Sequence, residues 1–204
     1  MISHLRDYAN AITTLGYLFA VVGLFLTLNG KLELGVAAML GTWFLDHWDG
    51  HVARKTSHLR RPGAADFGKS FDGFSDLVHG VIFPAAIIIL VGRGTVLSLV
   101  ASLLLVLAGA IRLSYFENVG LAADARFIGV PVSYDTPLLA LLILLRPLIP
   151  EFGFPALLSI AFICLSVLHV SPRVRVPAIR GKAVPIATAA AVLTALGLIY
   201  SRYG

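Results

Sequence analysis

The chain has 204 residues, of which 58% are hydrophobic and only 13% are charged. A soluble domain carries about a quarter charged residues, so this composition, with a mean hydropathy of +0.88, excludes an ordinary soluble domain and indicates an integral membrane protein. The net charge of +5 does not require a nucleic-acid partner, and none is expected. In membrane proteins, excess Lys and Arg mark cytoplasmic loops, where they also meet anionic lipid headgroups.

Seven apolar segments reach or approach the roughly 20 residues that an α-helix needs to cross a bilayer. In chain order they are residues 9–29, 32–53, 71–91, 95–111, 133–149, 155–170 and 184–200. No internal repeat or long linker separates them. The sequence therefore predicts an all-α fold, a polytopic membrane bundle of six to seven transmembrane helices that forms a single domain over residues 1–204.

The distribution of Lys and Arg predicts how the bundle is oriented. If the N-terminus is cytoplasmic and seven helices alternate, twelve of the basic residues fall inside and four outside. The inside set is Arg6, Arg54, Lys55, Arg60, Arg61, Lys69, Arg112, Arg126, Arg173, Arg175, Arg180 and Lys182, and the outside set is Lys31, Arg93, Arg146 and Arg202. This positive-inside bias places the end of the second segment and the start of the third at the cytoplasmic border.

Four aspartates lie at that border, in two pairs. Asp46 and Asp49 are three positions apart, and Asp72 and Asp76 are four apart, so each pair shares one face of its helix. Four ionised carboxylates in one partly desolvated pocket would repel one another strongly. Divalent cations remove that repulsion, and hard oxygen ligands of this kind suit Mg²⁺ or Mn²⁺.

Small and basic residues extend the same stripe. Gly50 and Ala53 lie on the face of Asp46 and Asp49, so a bulky ligand can approach the backbone there, and Arg54 at the rim can bind a phosphate with its forked guanidinium group. Together these residues are typical of a two-metal site for a pyrophosphate-like substrate.

Two other interpretations of the aspartates remain open on spacing alone. A transporter could use them as a proton or cation path, although such residues are usually spread through the bilayer around broken helices near the midplane. They could also be polar residues that pack one helix on another. Their clustering at one membrane edge, with glycines between them, favours metal-dependent phosphoryl chemistry.

The whole pattern resembles the signature of the CDP-alcohol phosphotransferase family. The residues that carry the resemblance are Asp46, Asp49, Gly50, Ala53 and Arg54, followed by Gly68, Asp72 and Asp76. The resemblance implies a homodimeric helical bundle whose site opens to the cytoplasm. It also implies transfer of a phosphatidyl or related group from a CDP-linked donor to an alcohol, with release of CMP. The implied cofactors are two divalent cations, Mg²⁺ or Mn²⁺.

The resemblance also implies roles for individual residues. The metal ligands would be Asp46, Asp49, Asp72 and Asp76, and the contacts to CDP would come from Gly50, Ala53, Arg54 and Gly68. Asp76 would in addition act as the base for the acceptor hydroxyl. The 13 residues between Arg54 and Gly68 exceed the spacing usual in the family, and we expect the polar surface loop to absorb them, because longer loops cost little closure entropy.

Three further stretches resemble phosphatidylserine synthases, namely residues 111–116 (IRLSYF), 127–131 (FIGVP) and, more weakly, 165–182 (LSVLHVSPRVRVPAIRGK). They predict CDP-diacylglycerol as donor and L-serine as acceptor, with Arg112 or Arg126 holding the serine carboxylate. His79 stands where those synthases often have a serine, and it is a candidate for acceptor binding. Choline, inositol phosphate and glycerol phosphate remain alternative acceptors, and both arginines could instead be ordinary cytoplasmic-border residues.

Overall fold

A computed structural model describes residues 2–122, 124, 126–178 and 183–203. Within them the chain forms seven long helices: α1 Tyr8–Leu28, α2 Leu32–Lys55, α3 Ala64–Val91, α4 Val96–Val119, α5 Asp135–Leu145, α6 Phe154–His169 and α7 Ala183–Tyr203. Short 3-10 turns cover Ile2–Arg6, Ser57–Leu59, Val132–Tyr134 and Arg146–Leu148. Arg180 and Lys182, which the charge count placed on the cytoplasmic side, lie outside the described residues.

Four of the helices, α1, α3, α4 and α7, are long and apolar enough to cross a membrane. Helix α6 is apolar but has only 16 residues, α5 has 11, and α2 carries the polar site residues along its second half. The predicted all-α membrane bundle is confirmed, and the protein is a multi-pass membrane protein. By length and composition, four spans are clear among the described helices.

Hydropathy located the helices well but not their polar ends. The third predicted segment, 71–91, begins earlier, at Ala64, because a polar stretch continues the same helix beyond the apolar part. The fourth likewise continues to Val119. The fifth is shorter than predicted and ends at Leu145, where the chain tightens into a 3-10 turn that contains Pro147. Proline lacks the N–H that would extend an α-helix.

Helix α2 lies at the centre of the bundle, where it packs against α1, α3, α5 and α7. Its partner α1 approaches closely because Gly23 and Gly35 face each other, and a Cβ on Gly35 would lie 2.7 Å from the Gly23 carbonyl oxygen. Fully buried side chains such as Met39, Leu105 and Phe162 fill the core beside it. This packing fixes the polar end of α2 between α1 and α3.

Helix α3 changes its hydrogen-bonding pattern directly after Asp76. Residues Leu77–Ile82 form a π-helical stretch, in which the backbone N–H of Phe83 donates to the carbonyl of Val78. Such π stretches are rare, and they occur frequently at functional sites.

A small antiparallel sheet joins two connections between helices. Strand β1 (Arg126–Ile128) pairs with β2 (Arg175–Pro177), with Phe127 opposite Val176. Both stretches lie outside the seven predicted helical segments, and strands of three residues are too short to give a periodic pattern in the sequence. An exposed ion pair between Asp124 and Arg175, at 3.1 Å, lies beside the sheet.

Candidate active site

The structure brings together the four aspartates that the sequence analysis selected. Asp46 on α2 and Asp72 on α3 line one cavity, and Asp49 is buried on the same face of α2 as Asp46. Asp76 lies one turn further along α3 and faces the same space. The two helix stripes therefore form one acidic cluster.

Most of these carboxylates lack a neutralising partner. One oxygen each of Asp46, Asp72 and Asp76 is buried without a hydrogen bond to any described residue. No Lys or Arg in the described part of the chain pairs with the cluster within 4.0 Å. Asp49 differs, because its carboxylate accepts a hydrogen bond from the Thr13 hydroxyl on α1.

Unpaired buried charges are costly, and a cluster of hard oxygen ligands with free lone pairs is what Mg²⁺ and Mn²⁺ prefer. The residues present therefore fit the divalent cations that the sequence predicted. The structure adds a nitrogen to the candidate ligand set, since one atom each of Asp46, Asp76 and His79 lie within 4.8 Å of one another.

A cavity of about 260 Å³ opens beside the cluster. Its acidic side is formed by α2 and α3, and its opposite side by α4, the sheet and the chain before α5. The residues that line it are Asp46, His47, Gly50, Arg54, Asp72, Asp76, Arg112, Leu113, Phe116, Leu121, Phe127, Pro131, Val132, Ser133, Tyr134, Pro177 and Ala178. Carboxylates and two guanidinium groups thus face a common space.

Two of the four residues predicted to contact CDP lie on this cavity. Gly50 has an open face, because a Cβ added there would meet only the Nη1 of Arg54, at 3.4 Å. Arg54 is exposed at the rim. Ala53 is half-buried and does not line the cavity.

Gly68, the fourth predicted CDP contact, is buried away from the cavity wall. An added Cβ would lie 2.8 Å from Nη2 of Arg60 and would also meet the side chain of Asn10. The structure thus gives Gly68 a packing reason to lack a side chain. The absence of a side chain lets α3 pack directly against Arg60 and Asn10, which anchor the preceding loop.

That loop is held to the start of α1 by Arg60. Its Nε and Nη2 donate to the two carboxylate oxygens of Asp7, at 3.0 and 3.1 Å. Nη2 also donates to Asn10 Oδ1 at 3.1 Å and to the carbonyl of Ala64 at 3.0 Å. Asp7 in turn caps α1 by accepting from the N–H of Ala9. The sequence analysis missed this anchor, although an Asp just before an apolar helix is a usual N-cap signal.

The two arginines proposed for the acceptor are placed differently. Arg112 is 6% exposed and lines the cavity. Its guanidinium carbon lies 5.7 and 5.6 Å from the ring centroids of Phe116 and Phe127, two rings that contact each other. Its Nε has no hydrogen-bond partner among the described residues. Arg126 is exposed on β1 and does not line the cavity.

Two histidines lie close to the acidic cluster. His79 is completely buried, and its Nε2 lies 3.4 Å from Asp76 Oδ1 and 3.8 Å from Asp46 Oδ1. His47 also lines the cavity, and its Nδ1 lies 3.5 Å from Asp46 Oδ2.

A second buried pair stabilises the chain that forms the far wall. His169 at the end of α6 contacts Asp135 at the start of α5, with Nε2 3.0 Å from Oδ1, and its Nδ1 lies 2.8 Å from the Val130 carbonyl oxygen. Both side chains are fully shielded from solvent. Sequence reasoning missed the pair because each residue is a single polar group in an apolar stretch, with nothing local to link them.

Comparison with known proteins supplies the family. The sequence model described as CDP-alcohol phosphatidyltransferase matches residues 6–202. The chain belongs to the CDP-alcohol phosphatidyltransferase family. It is also 32% identical over 156 residues to the archaetidylserine synthase of Methanothermobacter thermautotrophicus. The aligned region covers 74% of this chain and 59% of that relative. No solved structure matches.

Membership in the CDP-alcohol phosphatidyltransferase family places the chain among the membrane enzymes that transfer phosphatidyl groups in lipid synthesis. The family is generally dependent on divalent cations, in agreement with the acidic cluster. The chain spans 59% of the relative's length, so the synthesis of archaetidylserine is stated of that relative and enters for this chain only as a proposal.

The loop anchor generates a stability prediction. Replacing Arg60 by Lys removes the fork that binds Asp7 and Asn10 and leaves acceptors unpaired, because a lysine is a point charge. The positive charge is retained, so the cost is that of the lost hydrogen bonds between charged groups, about 1.5–3 kcal/mol. We expect a clearly lower thermal unfolding midpoint in detergent and faster proteolysis within residues 56–63.

The matched control is Arg61→Lys, since Arg61 is the exposed neighbour in the same loop. We expect this variant to unfold at the wild-type temperature. Equal midpoints for the Arg60 and Arg61 variants would show that the anchor contributes nothing measurable.

Proposed function

We propose that the protein transfers the phosphatidyl group of a CDP-linked lipid, CDP-diacylglycerol or an ether-lipid counterpart, to the hydroxyl of L-serine and releases CMP. The observation that carries the proposal is the convergence of Asp46, Asp72 and Asp76, without Lys or Arg partners among the described residues, on a cavity that Arg54 and Arg112 also line. Asp49 is buried beside them, on the same face of its helix as Asp46. The name of the relative, archaetidylserine synthase, supports serine as the acceptor.

The proposed cofactors are two divalent cations, Mg²⁺ or Mn²⁺, held by Asp46, Asp49, Asp72 and Asp76. When bound, they would neutralise the negative charge of the donor's pyrophosphate and of the departing CMP. The orphaned oxygens of the cluster support this assignment, because each retains the lone pairs that a cation requires.

The chain's own residues position the substrates and move one proton. Arg54 at the rim beside the open face of Gly50 would hold a donor phosphate. The acceptor hydroxyl oxygen attacks the lipid-linked phosphorus while Asp76 takes its proton. The new P–O bond forms as the bond to the bridging pyrophosphate oxygen breaks, and CMP leaves with that electron pair. The proton then passes from Asp76 to water, and no covalent enzyme intermediate is formed.

Arg112 is the residue proposed to hold the serine carboxylate. It lines the same cavity as Asp76, and its guanidinium group packs against the adjacent rings of Phe116 and Phe127 while its Nε has no partner among the described residues. A planar, pre-oriented guanidinium suits a carboxylate better than a flexible ammonium group. His79, the other acceptor candidate, is buried behind the aspartates and does not line the cavity.

The lipid chains of the donor are proposed to lie between α3 and α4. A second cavity, of about 360 Å³, extends there and shares Asp72 and Asp76 with the first. Its wall includes the exposed Phe74 together with Leu77 and Ala110, so an apolar chain would remain in hydrocarbon. The homodimeric state and the cytoplasmic opening implied by the sequence belong to the same proposal, and the positive-inside bias supports the latter.

The reaction is tested by CMP release from purified protein in detergent, with a diacyl or an isoprenoid-ether CDP-lipid and Mg²⁺ or Mn²⁺. We expect release to require L-serine, and not choline, inositol phosphate or glycerol phosphate. Asp72→Asn removes a ligand and should lower release at least about 100-fold. Asp66→Asn is the matched control, because Asp66 is an exposed carboxylate on the same helix. Near-normal release by Asp72→Asn would contradict the proposed mechanism, and release with another alcohol would contradict the proposed acceptor.

The acceptor site is tested by comparing two arginines. Arg112→Gln should raise the KM for serine about 10- to 100-fold, which corresponds to the free energy of one hydrogen bond to a charged group. The KM for the CDP-lipid should change little. Arg126→Gln is the control and should behave as wild type in both constants. A larger effect from Arg126→Gln would move the carboxylate site to the exposed strand.

A further inference from the structure

Three buried polar atoms face one another at the inner edge of the acidic cluster. They are Nε2 of His79, Oδ1 of Asp46 and Oδ1 of Asp76, and none has a hydrogen-bond partner among the described residues. His79 has no exposed surface, so solvent does not satisfy its ring nitrogen. A buried polar atom without a partner usually costs about 1–3 kcal/mol, and here three of them converge.

The hydrogen bonds of Thr136 indicate which ring nitrogen of His79 carries the proton. A threonine hydroxyl has one proton to donate, and the Thr136 hydroxyl donates it to the backbone carbonyl of His79, at 2.7 Å. The same oxygen lies 3.2 Å from His79 Nδ1, where it can only accept. This network therefore assigns a proton to Nδ1, and in the neutral ring Nε2 then carries the lone pair, directed at two carboxylate oxygens.

The π-helical stretch explains why the His79 carbonyl is available to Thr136. In an α-helix it would accept from Phe83, but that N–H donates to Val78 instead. In a continuing π pattern its donor would be residue 84, which is Pro84 and has no N–H. The backbone thus presents an acceptor that Thr136 satisfies, and this hydrogen bond ties α5 to the His79 backbone and ring.

Gly80, the residue after His79, permits a close approach between α3 and the chain before α5. A Cβ at Gly80 would lie 2.7 Å from the carbonyl oxygen of Val132, so only glycine lets the chain before α5 approach this closely. With its ring buried and its Nδ1 engaged, His79 is fixed with Nε2 toward Asp46 and Asp76. A lone pair and two carboxylates without a proton between them repel one another unless a cation lies among them.

We propose that His79 Nε2 is a ligand of the divalent cation that Asp46 and Asp76 hold, an inference that rests on the proposed metal-dependent function. Ligand atoms at neighbouring corners of an octahedral site lie about 3 Å apart. The observed distances of 3.4 and 3.8 Å need only small side-chain shifts to reach that value. An imidazolium group paired with a carboxylate would instead lie about 2.7–2.9 Å from it.

A nitrogen ligand changes which metal the site prefers. Mg²⁺ and Mn²⁺ both suit oxygen ligands, but Mn²⁺, as a transition-metal ion, accepts an imidazole nitrogen more readily than Mg²⁺ does. A site of carboxylates and one imidazole should therefore bind Mn²⁺ more tightly, relative to Mg²⁺, than a site of carboxylates alone. His79 acts here as a metal ligand and positioning residue, distinct from the acceptor-binding role considered for it from the sequence.

His47 provides a matched control on the same cluster. Its Nδ1 lies 3.5 Å from Asp46 Oδ2, but the same nitrogen is 3.0 Å from the backbone carbonyl oxygen of Trp43. A carbonyl only accepts, so Nδ1 of His47 carries a proton and has no lone pair for a metal. Both histidines therefore have a ring nitrogen near Asp46, but only that of His79 is expected to bind the metal.

The test is pulsed electron paramagnetic resonance of Mn²⁺ bound to the purified, full-length protein in detergent. We expect electron spin echo modulation from one directly coordinated ¹⁴N, replaced by the ¹⁵N pattern when histidine is ¹⁵N-labelled. The signal should be lost in His79→Gln and kept in His47→Gln. His79→Gln should also raise the Kd for Mn²⁺ roughly 10-fold or more, with a smaller change for Mg²⁺.

The outcomes separate this inference from the proposed function. Mn²⁺ that binds without a coordinated nitrogen overturns the inference and leaves the aspartate site intact. A signal that disappears in His47→Gln instead assigns the other histidine and also overturns it. If His79→Gln does not fold, the labelled wild type and His47→Gln still decide, since a histidine signal that survives in the latter supports His79. A folded protein that binds no divalent cation overturns both proposals.

Discussion

Carboxylates that repel one another must be held together at the polar ends of α2 and α3. Two unit charges 4 Å apart repel by about 4 kcal/mol at an effective dielectric constant of 20, and here four lie in one cluster without an arginine or lysine partner among the described residues. The surrounding bundle is what opposes this repulsion. Helix α1 contributes twice, through the hydroxyl of Thr13 on Asp49 and through Asp7, which anchors the loop between α2 and α3.

The far wall of the cavity depends on contacts that span long stretches of the chain. The pairing of β1 with β2 places Phe127 beside Arg112, and the buried contact between Asp135 and His169 fixes the start of α5 against the end of α6. Thr136 then joins the start of α5 to the π stretch of α3. In the proposed reaction, a rigid wall opposite the acidic cluster would fix the distance between donor phosphate and acceptor, which is how positioning contributes to catalysis.

The parts of this arrangement that were predictable from the sequence are those with a local signal. Apolar runs located all seven helices, and the spacing of Asp46, Asp49, Asp72 and Asp76 placed each pair on one face. Contacts between distant residues gave no such signal. Arg112 and Arg126 looked equivalent as basic residues at one border, and only the fold buries the first and exposes the second. Gly68 matched a signature position, yet its close neighbours are Asn10 and Arg60.

The central claim is that the four aspartates hold divalent cations at the site of transfer. The most direct measurement is anomalous X-ray scattering at the manganese edge from crystals grown with Mn²⁺ and a non-transferable CDP-lipid analogue. The account predicts two anomalous peaks enclosed by Asp46, Asp49, Asp72 and Asp76, with the pyrophosphate beside them and the nucleotide in the cavity. A well-ordered nucleotide with no peak among these carboxylates, or with metal bound elsewhere, would contradict it.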